Sequence, residues 1–376
     1  MKEEYQPEPV QGRWWILFPL RGLDVIDEHP DLKNPVFGDA TIISKSHIRE
    51  IVQSAKFNVA MAPGHDHEKD IIFMIEHATL EEEYQSLVVV RRSGKLGYGS
   101  ESSKTLYQAR SRAVQISATL ALIFLAVSEN GLTCGLVEQI HHKTQSIAAL
   151  DINQKNFMVS IGLGGSPPRT IRDSKRNIKF STSQLPDILK NTEFGNLASI
   201  LLPHKSKCAR SIRKALSASA SRLSDAIHSP NIATQLLGAV TAIEILLSEP
   251  GDSYDDIVRR LSALLGKQAL DTFAVQEIFQ ARHLYVHKGE EPEMFSSIGS
   301  KSIGLALNTI FRYSDLALQF STKQYIIDYL GLIDKAYRIQ EDLGSQALAK
   351  ILRHTPNYKV PPFLQIKFGN HTFHSP

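Results

Sequence analysis

From about residue 204 to residue 345, apolar side chains recur every three or four positions with few interruptions, the period that puts them on one face of an α-helix. Ser229 and Pro230 supply an N-cap and first turn, predicting a helix over 230 to 247, and Ser253 caps another to about 265. Asp271 or Thr272 opens a third, which Gly289 closes at a left-handed C-cap. Two more are expected over 296 to 320 and 322 to 344. Successive stripes of this kind must bury against one another, so this part of the chain folds as an all-α bundle.

The first half has a different rhythm. Strand-like runs at 14 to 20, 39 to 44, 70 to 76 and 86 to 92 are separated by breaks containing Pro, Gly and Asp. A long helix is expected over 104 to 128, where Ala109, Ala113, Ile116, Leu120 and Ile123 alternate at three and four residues and offer a seam to a second helix of the same domain. After a short helix, a further strand is expected over 156 to 161. The glycine-rich loop at 162 to 168 lacks the Gly-Lys-Ser/Thr of a phosphate loop and carries proline where a helix should open. The fold class is therefore α+β: a mixed α/β N-terminal domain over 1 to 200, a helical bundle over 201 to 345 and an extended arm over 346 to 376, with the boundary between 190 and 204.

A chain of 376 residues, 42% hydrophobic and 22% charged, can fill two ordinary cores, which excludes a disordered protein. Cys134 and Cys208 match no metal or redox spacing and fit a reducing cytoplasm. The first nine residues are polar and acidic, so no signal peptide is expected, and the apolar run over 113 to 128 is short for a membrane span and reads as a buried helix. A net charge of +3 neither demands nor forbids nucleic acid. Its distribution says more: no acidic residue falls between Phe194 and Ser224, while Lys205, Lys207, Arg210, Arg213 and Lys214 do. These five are candidate RNA-binding residues, with a solvated helix surface as the alternative.

Arg282 interrupts the stripe of the third bundle helix, where positions 275, 278, 279, 285 and 286 are Val, Ile, Phe, Tyr and Val. A core-facing guanidinium needs a partner or a cleft, and Glu244, the lone charge in an apolar run, is its natural partner. His283 and His287 lie four apart on the adjoining polar face with Gln276 and Gln280. His287 stands at the helix end, where the partial negative charge of the terminus and the nearby guanidinium act in opposite senses, a setting suited to an acid or base. The string Arg282-His283-x-x-x-His287, followed by Gly289 and preceded by Ala242-Ile243-Glu244-Ile245-Leu246-Leu247 and Tyr254-Asp255-Asp256-Ile257, resembles the signature of HEPN-domain endoribonucleases, in their Apea-like branch. The resemblance covers roughly residues 204 to 345.

RNA carries its own nucleophile, so a ribonuclease without metal needs a base for the 2′-OH, an acid for the 5′-oxygen and positive charge on the transition state. The resemblance implies that Arg282, His287 and His283 are catalytic, with Glu244 and Tyr285 in support and with no cofactor. It also implies a homodimer whose two motif helices share one composite cleft, in which Ile278, Tyr285 and Val286 bury against the partner. The expected product ends are a 2′,3′-cyclic phosphate or 3′-phosphate and a 5′-hydroxyl, and the expected role is that of a toxin or phage-defence effector. The N-terminal half would then sense, recruit or restrain through loops near 64 to 70 and 162 to 169.

Two other functions use the same residues. A HEPN module without activity would serve dimerisation or partner binding. A metal-dependent hydrolase would use His283 and His287, which have the spacing of helical zinc ligands; no third ligand follows, and Leu284 stands where that motif has glutamate. His65, His67, Asp66 and Asp70 form a second ligand-like group, which reads as a solvated turn.

Overall fold

In β1, Val10–Leu20, residues of both parities are buried: Trp14, Ile16 and Phe18 on one face, Trp15 and Leu17 on the other. A strand buried on both faces lies inside a covered sheet. The computed structural model describes residues 10–26, 35–47, 86–96, 100–127, 148–151, 156–159, 178–180, 194–229, 231–289 and 295–338. The expected strand over 70 to 76, the His65/His67 turn, the helix after 128, the loop over 162 to 168 and the arm over 346 to 376 fall outside these residues.

Each of the two units that the chain forms is described by itself: Met1–Lys190 with Leu202–Lys205, and Asn191–Leu201 with Ser206–Pro376. In the first, β1 pairs antiparallel along its whole length with β4, Ser86–Leu96, from Val10 opposite Leu96 to Leu20 opposite Ser86. β3, Ala40–Ser44, joins the far side of β4. On the other side of β1 come β5, Ala148–Asp151, and β6, Asn156–Val159, which gives the order β3-β4-β1-β5-β6. β2, Leu23–Val25, pairs in parallel with β7, Ile178–Phe180.

Helix α1, Ser100–Val127, packs across β4 and β1. Among the described residues the seam read from its sequence meets a sheet, because a three-and-four spacing reports an apolar face and not the shape of what covers it. Lys104–Ala126 is long and apolar enough to cross a membrane by length and composition, and 67% of its most apolar window is buried, the packing of a core helix. At Gly94, φ +156°, an added Cβ would fall 2.4 Å from Thr105 Oγ1, so only glycine lets β4 pass this close to α1.

Asp39 ties this unit together. Its carboxylate accepts from Arg112 Nε at 3.0 Å and Arg92 Nη1 at 2.5 Å, with His204 Nδ1 at 2.9 Å. Arg112, itself buried, also donates to the Leu202 carbonyl and to Gln115 Oε1. One buried anion thus joins β3, β4, α1 and the segment 202–205.

Among its described residues the second unit is all-helical. It contains α2, Gly195–Leu201; α3, Arg210–Ile227; α4, Ile232–Leu247; and α5, Tyr254–Leu265. These are followed by α6, Lys267–Thr272; α7, Val275–Lys288; α8, Phe295–Ala317; and α9, Lys323–Arg338. α8 is the centre, packed by α2, α3, α4, α5 and α7. α3 and α4 meet at Gly238, where a Cβ would stand 2.6 Å from that of Ala226, and Ser219 Oγ donates to the Ala242 carbonyl at 2.7 Å. The whole is α+β, with the helices concentrated after residue 194.

Two local details differ from expectation, and a third agrees with it. The cap of α4 is Asn231, whose Oδ1 accepts from Thr234 N at 3.1 Å, while Ser229 Oγ accepts from Asn231 N one step earlier. A short helix, α6, occupies the start expected for the motif helix, and α7 begins only at Val275, after Ala274 in the left-handed region at φ 51°. That conformation costs about 1–2 kcal/mol; it turns the chain so that Phe273 packs on Gly304 and Val275 is buried. The Ser253 cap is a complete capping box with Asp256, and α5 stops at Gly266, φ 88°.

Burial pushes the Asp39 carboxyl up, but the Arg112 charge, with Arg92 and His204, outweighs it and holds the group below the usual carboxylate range. A depressed carboxyl stabilises the fold above its unfolded pKa of about 3.9 and loses that contribution as pH falls through the lower folded value. Asp39→Asn should therefore destabilise this unit by about 3–5 kcal/mol at neutral pH, since it leaves the buried Arg112 and the half-buried Arg92 without their carboxylate. It should also flatten the loss of stability below about pH 4, both read by urea unfolding across pH.

Candidate functional site

Three helices place the candidate residues. α7 carries Arg282, His283, Tyr285 and His287, and packs on α4 and α8 through buried Val275, Ile278, Phe279 and Ala281. α4 contributes Glu244. α5 contributes Tyr254 from its first turn, a residue that entered the sequence reading only as part of the flanking string.

Along α7 the buried stripe thins toward the C-terminus. Val275, Ile278 and Phe279 are enclosed, Arg282 and Tyr285 are half-buried, and Val286 is 47% exposed. Ile278 is thus part of the chain's own core and cannot also cover a partner, because its helix position faces inward a full turn before the stripe emerges. Arg282 sits where the stripe leaves the core: its Nη2 is 3.4 Å from Glu244 Oε1, with side-chain exposures of 21% and 22%. Its guanidinium carbon lies 5.0 Å from the centroid of the Tyr254 ring, and that ring tilts against Phe279 at 5.4 Å. The order Phe279, Tyr254, Arg282, Glu244 carries the packing from apolar to charged within one turn.

A guanidinium has five N–H donors. Among the described residues Arg282 has two partners, one carboxylate oxygen at 3.4 Å and one aromatic face, so most of its donors are open. At the end of α4, Arg260 Nη1 donates to Leu247 O at 2.6 Å and Lys323 Nζ to Ser248 O at 2.8 Å. Burial raises the Glu244 carboxyl above its ordinary value, and the Arg282 charge only partly opposes this. The ion pair is a loose one.

His283 and His287 are both exposed and stack, with ring centroids 4.6 Å apart and planes at 45°. Gln276 and Gln280 are exposed on the turns before them. α7 ends at Gly289, φ 68°, whose N–H donates to Tyr285 O at 3.1 Å. The last turn therefore has a fixed geometry, with His287 and Lys288 at its negative end. Five residues of α-helix separate Arg282 from His287, about 7.5 Å along the axis and about 140° around it. Within one chain they point to different sides.

Of the basic residues, Lys205 belongs to the first unit and Lys207, Arg210, Arg213 and Lys214 to the second. Lys207 stands in the bend before α3 rather than on it, and Arg210 and Lys214 are exposed one turn apart. Arg213 is turned toward buried Cys208, whose thiol burial pushes up to about 11 against the Arg213 charge, leaving it inert near neutral pH. α4 separates these residues from the motif: Gly238 and Ala242 face α3, and Glu244 is about 200° further round the helix.

Chemically, the arrangement offers an exposed pair of imidazoles for proton transfer and a half-open guanidinium for negative charge. Among the described residues no three His, Cys, Asp or Glu side chains gather around a common point. Comparison of the chain with models of known families, with curated proteins and with solved structures gives no match.

Because its folded-state pKa is raised, Glu244 adds stability below the unfolded value of about 4.3, and that contribution fades as pH rises through the folded value. Glu244→Gln should therefore leave stability at pH 7 within about 1 kcal/mol of the parent and remove this drift. A loss of about 3 kcal/mol or more in thermal or urea unfolding would mark a tight buried pair instead.

Proposed function

We propose that the chain is an endoribonuclease of the HEPN type that cleaves RNA by 2′-OH attack, without a metal cofactor, at a cleft shared by two protomers. The observation that carries this is Arg282: a guanidinium held at the edge of the core by Glu244 and Tyr254, with most of its donors unspent. His287, with His283 stacked beside it, supplies the imidazole that takes the 2′-OH proton and returns one to the leaving 5′-oxygen. Arg282 stabilises the charge that grows on the phosphoryl oxygens.

The angle between Arg282 and His287 around α7 favours two chains over one. A second α7 across a two-fold axis brings each arginine toward the other chain's histidine, and exposed Val286 with half-buried Tyr285 gives that contact an apolar centre. Phosphate contacts from Arg210 and Lys214 would hold RNA on another side of the bundle, behind α4. The cytoplasmic toxin or defence role belongs to this proposal, as does a controlling function for the first unit.

The full chain should cleave single-stranded RNA in the presence of chelator. Arg282→Ala and His287→Ala should each lower the rate by about 10²–10⁴-fold, the range for lost charge stabilisation or proton transfer, with unchanged circular dichroism. Parent protein that cleaves no RNA, or variants that cleave as fast, would favour a HEPN module used for binding alone. Activity abolished by chelator and restored by zinc or manganese would favour the metal-dependent hydrolase.

A further inference from the structure

His283 and His287 hold a geometry that proton transfer alone does not require. A ring nitrogen lies roughly 1.1 Å from its ring centroid, and a bound divalent ion about 2.0–2.1 Å beyond that. Two imidazoles on one ion at an angle of about 90–110° therefore have centroids about 4.5–5.2 Å apart. The observed separation is 4.6 Å. The separation of the rings is compatible with that of two imidazoles on one ion.

Three further features suit an ion. Both rings are exposed, and among the described residues neither makes a hydrogen bond, so their nitrogens are open. Both sit in the last turns of α7, whose C-terminus carries partial negative charge and whose backbone is closed by Gly289. Exposed Gln280, one turn earlier, adds a neutral oxygen on the same face. The opposing charges are Lys288, which is exposed, and Arg282, which Glu244 partly neutralises.

We propose that His283 and His287 form a two-imidazole site for a late first-row divalent ion, Ni²⁺, Cu²⁺ or Zn²⁺, with water completing the coordination. Imidazole nitrogen selects these ions over Mg²⁺ and Ca²⁺, which prefer oxygen, and Cu²⁺ should bind tightest. Occupancy ties up the His287 ring, so the ion is an inhibitor of the cleavage proposed above. That second half rests on the nuclease reading, whereas the binding itself does not.

Titration calorimetry with NiCl₂ on the tag-free full chain tests the site. One ion per chain should bind, and a chelator should strip it. His283→Ala and His287→Ala should each weaken binding about tenfold or more, the gain a tethered second ligand provides. Since both side chains are exposed, the variants keep the fold, which circular dichroism checks. Nickel affinity unchanged in both variants would overturn the proposal. If the parent binds nickel as described and cleaves no RNA, the chelate stands and the nuclease reading falls. If it cleaves, Ni²⁺ should stop cleavage over the concentrations at which it binds, and full cleavage at saturation would overturn the inhibitory role.

Discussion

The position of Arg282 at the edge of the α4–α7 contact governs how the helical unit can be understood. The guanidinium is too polar to enter the core unpaired and too close to it to be wholly solvated. Glu244 and the Tyr254 face settle that conflict, but loosely: the pair is 3.4 Å apart and burial raises the carboxyl despite the neighbouring charge. The contact is enough to orient the arginine and too weak to consume it. C-terminal to it on α7, His283, Val286 and His287 reach the surface, while Leu284 and Tyr285 stay half-buried.

The Asp39 cluster in the first unit is the contrasting case. There a buried carboxylate meets two arginines and a histidine at hydrogen-bonding distance, and its pKa falls rather than rises. One arrangement is a structural clamp, with its donors spent on Asp39, Gln115 and the Leu202 carbonyl. The other leaves its donors open. The comparison supports the proposal that Asp39 serves folding and Arg282 serves chemistry.

What the sequence disclosed was whatever is decided within a few residues. The Ser253 capping box and the Gly289 cap depend on bonds spanning three or four positions, and both were legible. The start of α7 was not, because the left-handed Ala274 is sustained by Phe273 packing on Gly304, thirty residues away. The cover on α1 was hidden for a similar reason, since its spacing describes its own face alone. Glu244 could be named as the partner of Arg282 because it was the lone charge on its helix. Tyr254 could not, since its stacking depends on how α5 leans on α7. Arg213 could not be told from Arg210 until α3 had been rotated into its packed orientation.

The central proposal is that Arg282 of one chain works with His287 of another. It is tested most directly by mixing two separately inactive proteins, Arg282→Ala and His287→Ala, under conditions where native mass spectrometry shows subunit exchange. Heterodimers retain one intact arginine and one intact histidine in the shared cleft, so RNA cleavage should reappear in the mixture and rise with the heterodimer fraction. Heterodimers that form and stay inactive would contradict a composite site.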